Sequence, residues 1–271
     1  MSFPNLPGKH EFEPLVTSER MLEHLRASDA FDEFVTPERA YLLFQRSLLL
    51  HVLELENPER TALGSHGVYV LPRSGGKWAV AAEFGVGAPV LATVVERLSA
   101  LGTREFVILG IAGALRPDAR AGDVVLCDRA IRDEGTSHHY IAPGKYATPS
   151  TRLTAELRER LRRASLPFAV GPTWTTDAPY RETVEEVVHY RDEGVLTVEM
   201  EASALFAICE RKGLEGAAAF VVSDILREEG WEPRFGAPEM HLGLEALYRA
   251  ATGFDEQGSG SDADQSSGAG G

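Results

Sequence analysis

Apolar residues along this chain follow two rhythms that alternate from about residue 36 to residue 252. Short continuous runs such as EFVILGI (105–111) and AAAFVVSD (217–224) have the length and β-branching of strands covered on both faces. Between such runs lie stretches with an apolar residue every three or four positions, of which the Arg/Glu-rich 151–164 is the clearest amphipathic helix. The same criteria predict helices at 89–101 (stopped by Gly102), 181–192, 201–212 and 238–251. They predict strands at GDVVLCDRAI (122–131), PFAVGPTW (167–174) and VLTVEM (195–200). GVYVLPR (67–73) and WAVAAEF (78–84) read as a hairpin closed by Ser74-Gly75-Gly76. The spacing from Pro37 to Leu55 predicts one further helix, with Thr36 as N-cap and Pro37 at the first helical position. Buried strands separated by amphipathic helices imply an α/β fold, its sheet covered on both faces.

Composition sets the limits. Residues 1–35 are polar, with one short helix expected near Ser18–Arg26, and read as an N-terminal arm. Residues 36–252 form the expected domain, and 253–271, rich in Gly, Ser, Asp and Gln, are expected to be a disordered tail. With 271 residues and 44% hydrophobic content the chain can bury a core without disulfides or metals. A formal net charge of -14 disfavours nucleic acid and anionic lipid surfaces as partners. Cys127 and Cys209 sit inside apolar runs, no CxxC or Cys/His cluster offers a metal site, and no apolar run has the length of a membrane span. The polar start, MSFPNLPGKHEFEP, lacks the apolar core of a signal peptide, so a cytoplasmic protein is expected.

Three segments carry candidate chemistry. Phe84-Gly85-Val86-Gly87-Ala88-Pro89 joins a strand to a helix, where small residues let backbone N–H groups approach an anion; a tight connection is the plainer reading. Val198-Glu199-Met200-Glu201-Ala202-Ser203 places two carboxylates where a buried strand turns into a helix. There a carboxylate either accepts the vicinal hydroxyls of a sugar, with Met200 against its ring, or caps the helix. Val221-Val222-Ser223-Asp224 ends a buried strand in an acid, at the sheet edge where ligands of α/β proteins collect. Trp174 and Trp231 are expected to pack in the core or at its rim.

These segments, in this order, resemble the nucleoside phosphorylase superfamily, with its uridine and purine nucleoside phosphorylases and methylthioadenosine nucleosidases. The resemblance extends through Gly110–Leu115 with Arg120-Ala121-Gly122-Asp123, through Arg132-Asp133-Glu134-Gly135-Thr136-Ser137, and through Thr175-Thr176-Asp177-Ala178-Pro179-Tyr180. It implies a three-layer α/β/α fold with a mixed, partly barrelled central sheet, assembled as a homo-oligomer, a dimer or a hexamer. It implies ribose binding by Glu201 and Met200, phosphate binding at Gly85 and Gly87, and base contacts from Tyr180, Thr136 and Ser137. Asp224 matches the acid that assists departure of a purine. The implied activity is phosphate-dependent cleavage of a nucleoside, uridine or purine, to free base and ribose 1-phosphate, with phosphate as cosubstrate and no cofactor.

The chain departs from that pattern on the phosphate side. Phosphorolytic relatives carry Arg where this chain has Ile108, and the early PGDPxR motif is missing. Arg46, in Phe44-Gln45-Arg46-Ser47, is the candidate substitute cation, against an ordinary solvent-exposed arginine. A hydrolytic nucleosidase and a non-catalytic nucleoside-binding module are the alternatives to phosphorolysis.

Overall fold

The computed structural model describes residues 4–27, 36–63 and 66–254. Its helices are α1 Ser18–Ala27, α2 Arg46–Glu56, α3 Ala88–Leu101, α4 Thr151–Arg163, α5 Val184–Asp192, α6 Ala202–Lys212 and α7 Pro238–Thr252. Its strands are β1 Arg39–Leu43, β2 Glu59–Leu63, β3 His66–Val70, β4 Trp78–Ala82, β5 Glu105–Ala114 and β6 Val124–Asp133. They continue with β7 Tyr146–Ala147, β8 Ala169–Thr176, β9 Thr197–Glu199, β10 Glu215–Arg227 and β11 Gly230–Pro233. One mixed sheet holds them all in the order β11-β10-β6-β8-β9-β5-β1-β4-β3-β2, with β7 on β6. Because β10 also pairs with β5, the strands β5, β10, β6, β8 and β9 close into a barrel. The expected three-layer fold with a partly barrelled sheet is what the chain adopts.

Two cores cover the two faces. Leu48, Val52, Leu157, Leu161, Leu244 and Leu247, from α2, α4 and α7, pack on one. Leu91, Val95, Leu98, Leu205, Phe206 and Ile208, from α3 and α6, pack on the other. Strand β1 shows the division: Tyr41 and Leu43 point to the first core, Ala40 and Leu42 to the second.

Strand β1 also corrects the sequence reading. Residues 37–55 are not one helix: Arg39–Leu43 form a central strand, parallel to both β4 and β5, and the helix starts at Arg46. A strand buried on both faces shows no alternation of polarity, so its apolar run merges with that of the following helix. Strands β2 and β11 were likewise not expected. The arm forms α1 where a helix was expected. Of the tail, Phe254 is buried and its ring stacks on Trp78 at 5.6 Å, while 255–271 lie outside the described residues.

Arg39 ties β1 into the molecule. Its guanidinium donates to Glu105 at 2.7 Å and to both oxygens of Glu156 at 2.8 and 2.9 Å, beneath the Trp78 ring. Removing it takes the one buried guanidinium from two part-buried carboxylates and leaves them to Arg152 and Arg160, which are more exposed. Arg39→Ala should therefore destabilise the fold by about 3 kcal/mol, read from urea unfolding; a loss within error would show the pair contributes nothing.

Candidate active site

The barrel rim gathers the chemistry. At the end of β9 the chain turns directly into α6, and both acids of the turn, Glu199 and Glu201, are buried. They divide the work. One oxygen of Glu199 accepts the Thr175 hydroxyl at 2.5 Å, and the other accepts the backbone N–H groups of Glu201 and Ala202, each at 2.7 Å. Glu199 thus caps α6 and has no oxygen left for a ligand. Glu201 accepts the Gly87 N–H, at 2.5 Å, and the Met200 N–H lies close enough to favour its charged form as well. Gly87 opens α3, so the amino ends of α3 and α6 converge on this one carboxylate. Burial, the largest influence, drives both acids well above the ordinary carboxylate range, and the Glu201 charge pushes Glu199 further.

The glycine turn serves Glu201 as well as any anion. Gly85 and Gly87 have φ of 86° and 102°, conformations that a side chain would strain. Gly87 spends its N–H on Glu201, which corrects the expectation that both glycines offer amides to phosphate. Space beside Gly85 is open where a Cβ would stand. Arg46 is the first residue of α2, is exposed, and lies close enough to Glu83 to help lower its pKa, beneath the larger influences of Tyr69 and Arg60. Arg46 is thus within electrostatic reach of Glu83, two residues before Gly85. Ile108 is sealed among Phe44 and Phe220 around Gly110, so apolar packing occupies the place of the relatives' arginine.

Asp224 owes its direction to an irregularity. Strand β10 runs in register with β5 up to Val222↔Ala112 and resumes at Asp224↔Gly113, so Ser223 is an extra residue that bulges the strand. Gly113 makes room: a Cβ there would stand 3.0 Å from Asp224 Oδ2. The Asp224 carboxylate accepts the Ser223 hydroxyl at 2.6 Å and the Trp231 indole N–H at 2.8 Å. Glu182 lies within its electrostatic reach. Burial first, then the charges of Asp224 and Glu186, push the Glu182 carboxyl up to about 7. Among the described residues nothing donates a hydrogen bond to it.

The expected base residues need correction. Tyr180 sits on a single 3-10 turn and is 100% exposed, so within one chain it encloses nothing. Thr136 lies at the foot of the next turn and lines a cavity of about 760 Å³ between the arm and α3, with His139 and Tyr140. Ser137 is fully buried with its groups engaged: its N–H donates to Glu134, and its hydroxyl accepts from Arg132 at 2.9 Å. Glu134 also accepts the Ser203 hydroxyl at 2.8 Å, so Ser137 belongs to a buried brace that fixes the 134–142 loop to α6. Met200 is half-buried beside Glu201, where the sequence reading puts it.

Sequence reasoning missed Glu182 and the bond from Trp231 to Asp224, and it left open which of the two acids caps α6. Glu182 had a signal: Thr183 and Glu186 form a capping box that starts α5, which makes Glu182 the last extended residue before a helix. Trp231 had none, because its reach to Asp224 depends on the unexpected β10–β11 pairing. Among the described residues no group of His, Cys, Asp or Glu is arranged to hold a metal ion, and no helix is long and apolar enough to cross a membrane.

Raised carboxyl pKa values set the pH dependence of stability. An acid favoured neutral in the fold contributes stability that is complete below its unfolded value, 4.5 for Glu199 and Glu201, and is lost as pH rises through the folded value. Urea midpoints should therefore fall between pH 5 and 8. Glu201→Gln, which still accepts from Gly87, should flatten that fall; an unchanged slope would place the effect elsewhere.

Similarity to known proteins agrees with the geometry. The model of the phosphorylase superfamily matches residues 36–240. A guanosine phosphorylase of Halorubrum lacusprofundi is 37% identical over 138 residues, which are 51% of this chain and only 57% of that protein's length. A uridine phosphorylase of Haemophilus influenzae is 28% identical over 191 residues, covering 65% of this chain and 76% of that one. Among solved structures, uridine phosphorylase from Vibrio fischeri ES114, complexed with 6-hydroxy-1-naphthoic acid, superimposes with a TM-score of 0.70 at 25% identity. That match covers 82% of this chain and 93% of the other. With the match running through the glycine turn, the Glu199/Glu201 strand end and the bulged Asp224, the chain belongs to the phosphorylase superfamily.

Proposed function

We propose that the chain is a purine nucleoside phosphorylase that cleaves 6-oxopurine nucleosides with phosphate, giving the free base and ribose 1-phosphate. The observation that carries the reading is the acidic base end, where Glu182 lies within electrostatic reach of Asp224. Uracil presents carbonyl oxygens on either side of its N3–H and leaves with charge on them, which two carboxylates repel. A 6-oxopurine presents N1–H, and in guanosine also an amino group, as donors to a carboxylate, and takes a proton at N7 as it leaves. The guanosine phosphorylase relative supports the same choice, while the uridine phosphorylases support only the sugar and anion sides.

In this reading Glu201 accepts the ribose 2′- and 3′-hydroxyls through the oxygen that Gly87 leaves free, and Met200 packs against the sugar. Phosphate sits at Gly85, near Arg46, and one of its oxygens bonds to C1′ as the C1′–N9 bond breaks. The bonding pair departs with the purine, and Asp224 in its acid form delivers a proton to N7. Positive charge that develops on the sugar lies beside the Glu201 carboxylate. The apolar packing at Ile108 is the one observation that favours a hydrolytic nucleosidase instead.

Base release from guanosine, inosine, adenosine and uridine, with and without phosphate, separates the readings by chromatography. Phosphate-dependent release from guanosine and inosine is expected. Release independent of phosphate would make the chain a nucleosidase, and a preference for uridine would sink the purine assignment. Glu201→Ala should lower turnover about 100-fold with unchanged melting. Because only ionised Glu182 accepts N1–H, KM for guanosine should fall as pH rises through 7, and Glu182→Gln should abolish that trend. Homo-oligomerisation belongs to the same reading, supported by Leu15 and Val16 of the arm and Val86 of the glycine turn, all exposed. Light scattering should then give a mass at least twice the 29.5 kDa of the chain.

A further inference from the structure

Trp231 is placed at the base end without being needed by the core. It lies on β11, which pairs antiparallel with the extension of β10 beyond the bulge, opposite Leu226. The indole is 59% exposed, and Phe235, its ring neighbour at 5.9 Å, is 46% exposed. A tryptophan that only sealed a rim would bury its ring and leave its N–H at the edge. Here the arrangement is reversed: the N–H is used internally, on Asp224 Oδ2 at 2.8 Å, and an apolar face is left open beside the same carboxylate.

Resting on the phosphorylase reading, we infer that Trp231 is a base-site residue: its indole N–H positions Asp224, and its open ring face receives the purine. A hydrogen bond to the charged form of an acid stabilises the state that exists after proton transfer. With the Ser223 hydroxyl on Oδ1 and the Trp231 N–H on Oδ2, the carboxylate left when Asp224 gives its proton to N7 has a donor on each oxygen. Trp231 therefore holds in place the carboxylate that proton transfer leaves behind. The other charges that face Asp224 and its partner acid are Glu182 itself and, from α5, Glu186. Arg234 and Glu232 beside Trp231 pair with one another and leave the indole to Asp224. Stacking on the ring supplies the remaining contact, an apolar wall that any purine fits and that the exposed Phe235 extends.

Two variants separate the roles, and both should fold because the ring is on an exposed hairpin. Trp231→Phe keeps a ring and removes the donor; Trp231→Leu removes both. With inosine, Trp231→Phe should lose about tenfold or more in kcat at little change in KM. With 7-methylguanosine, whose purine is already cationic and leaves as neutral 7-methylguanine without a proton at N7, Trp231→Phe should turn over like wild type. Trp231→Leu should in addition raise KM for both substrates. An equal loss on 7-methylguanosine in Trp231→Phe, or wild-type kcat and KM in both variants, would overturn the inference. A wild-type chain that cleaves no nucleoside would instead overturn the phosphorylase reading. Binding decides the stacking role without turnover: hypoxanthine should quench tryptophan emission of the wild type and not of Trp231→Phe. Equal quenching in the two would remove Trp231 from the base site.

Discussion

Two carboxylates buried two residues apart at one strand end would repel each other and oppose folding if they were equivalent. The backbone makes them different. Glu199 turns both oxygens toward protein donors and fastens the first turn of α6, while Glu201 accepts the Gly87 N–H. The rest of the site is arranged around that division. Thr175, which donates to Glu199, also accepts the Ser203 N–H, and the Ser203 hydroxyl reaches Glu134, which holds the 134–142 loop. A change at Glu199 is therefore felt at α6, at β8 and in the loop at once, whereas a change at Glu201 is felt at the glycine turn and the sugar. Of the two alternatives for these acids, capping holds for Glu199, and ligand binding is the role that the proposed function assigns to Glu201.

The parts of the fold legible in the sequence are those where one face of an element meets water. Helices α3, α4, α6 and α7 and the β3–β4 hairpin carry polarity contrast or glycine punctuation, and the chain folds where these signals put them. Strand β1 has no contrast because the sheet covers both its faces, and the Arg39–Glu156 pairing that anchors it joins residues far apart in sequence. The site divides in the same way. Gly85, Met200, Glu201 and Asp224 belong to local segments whose residue types announce their chemistry. Ser137 carries the right atoms for a ligand but spends them on Glu134 and Arg132, and no sequence pattern reports that. Residues that act across the barrel, Glu182 and Trp231 toward Asp224, become visible only when β10 is seen to continue past its bulge into a hairpin.

Charge is laid out along the site in the sense that breaking an N-glycosidic bond asks for. In the proposed reading Arg46 stands toward the glycine turn at one end, Glu201 lies between as the sugar carboxylate, and Asp224 and Glu182 close the base end. The exchange of a family arginine for Ile108 is not an isolated loss in this layout. Phe44 packs with Ile108 and Phe220 against Gly110, so the surroundings of Ile108 are an apolar plug. Such a plug lowers the local dielectric, and whatever charge remains nearby acts over a longer reach than it would in water. A single arginine on the first turn of α2 can then carry part of what two arginines do elsewhere. The cost is that Arg46 is exposed, and its attraction for phosphate is screened by salt in a way that a buried arginine's is not. In that reading phosphate affinity must weaken with ionic strength more steeply than sugar affinity, because Glu201 is buried.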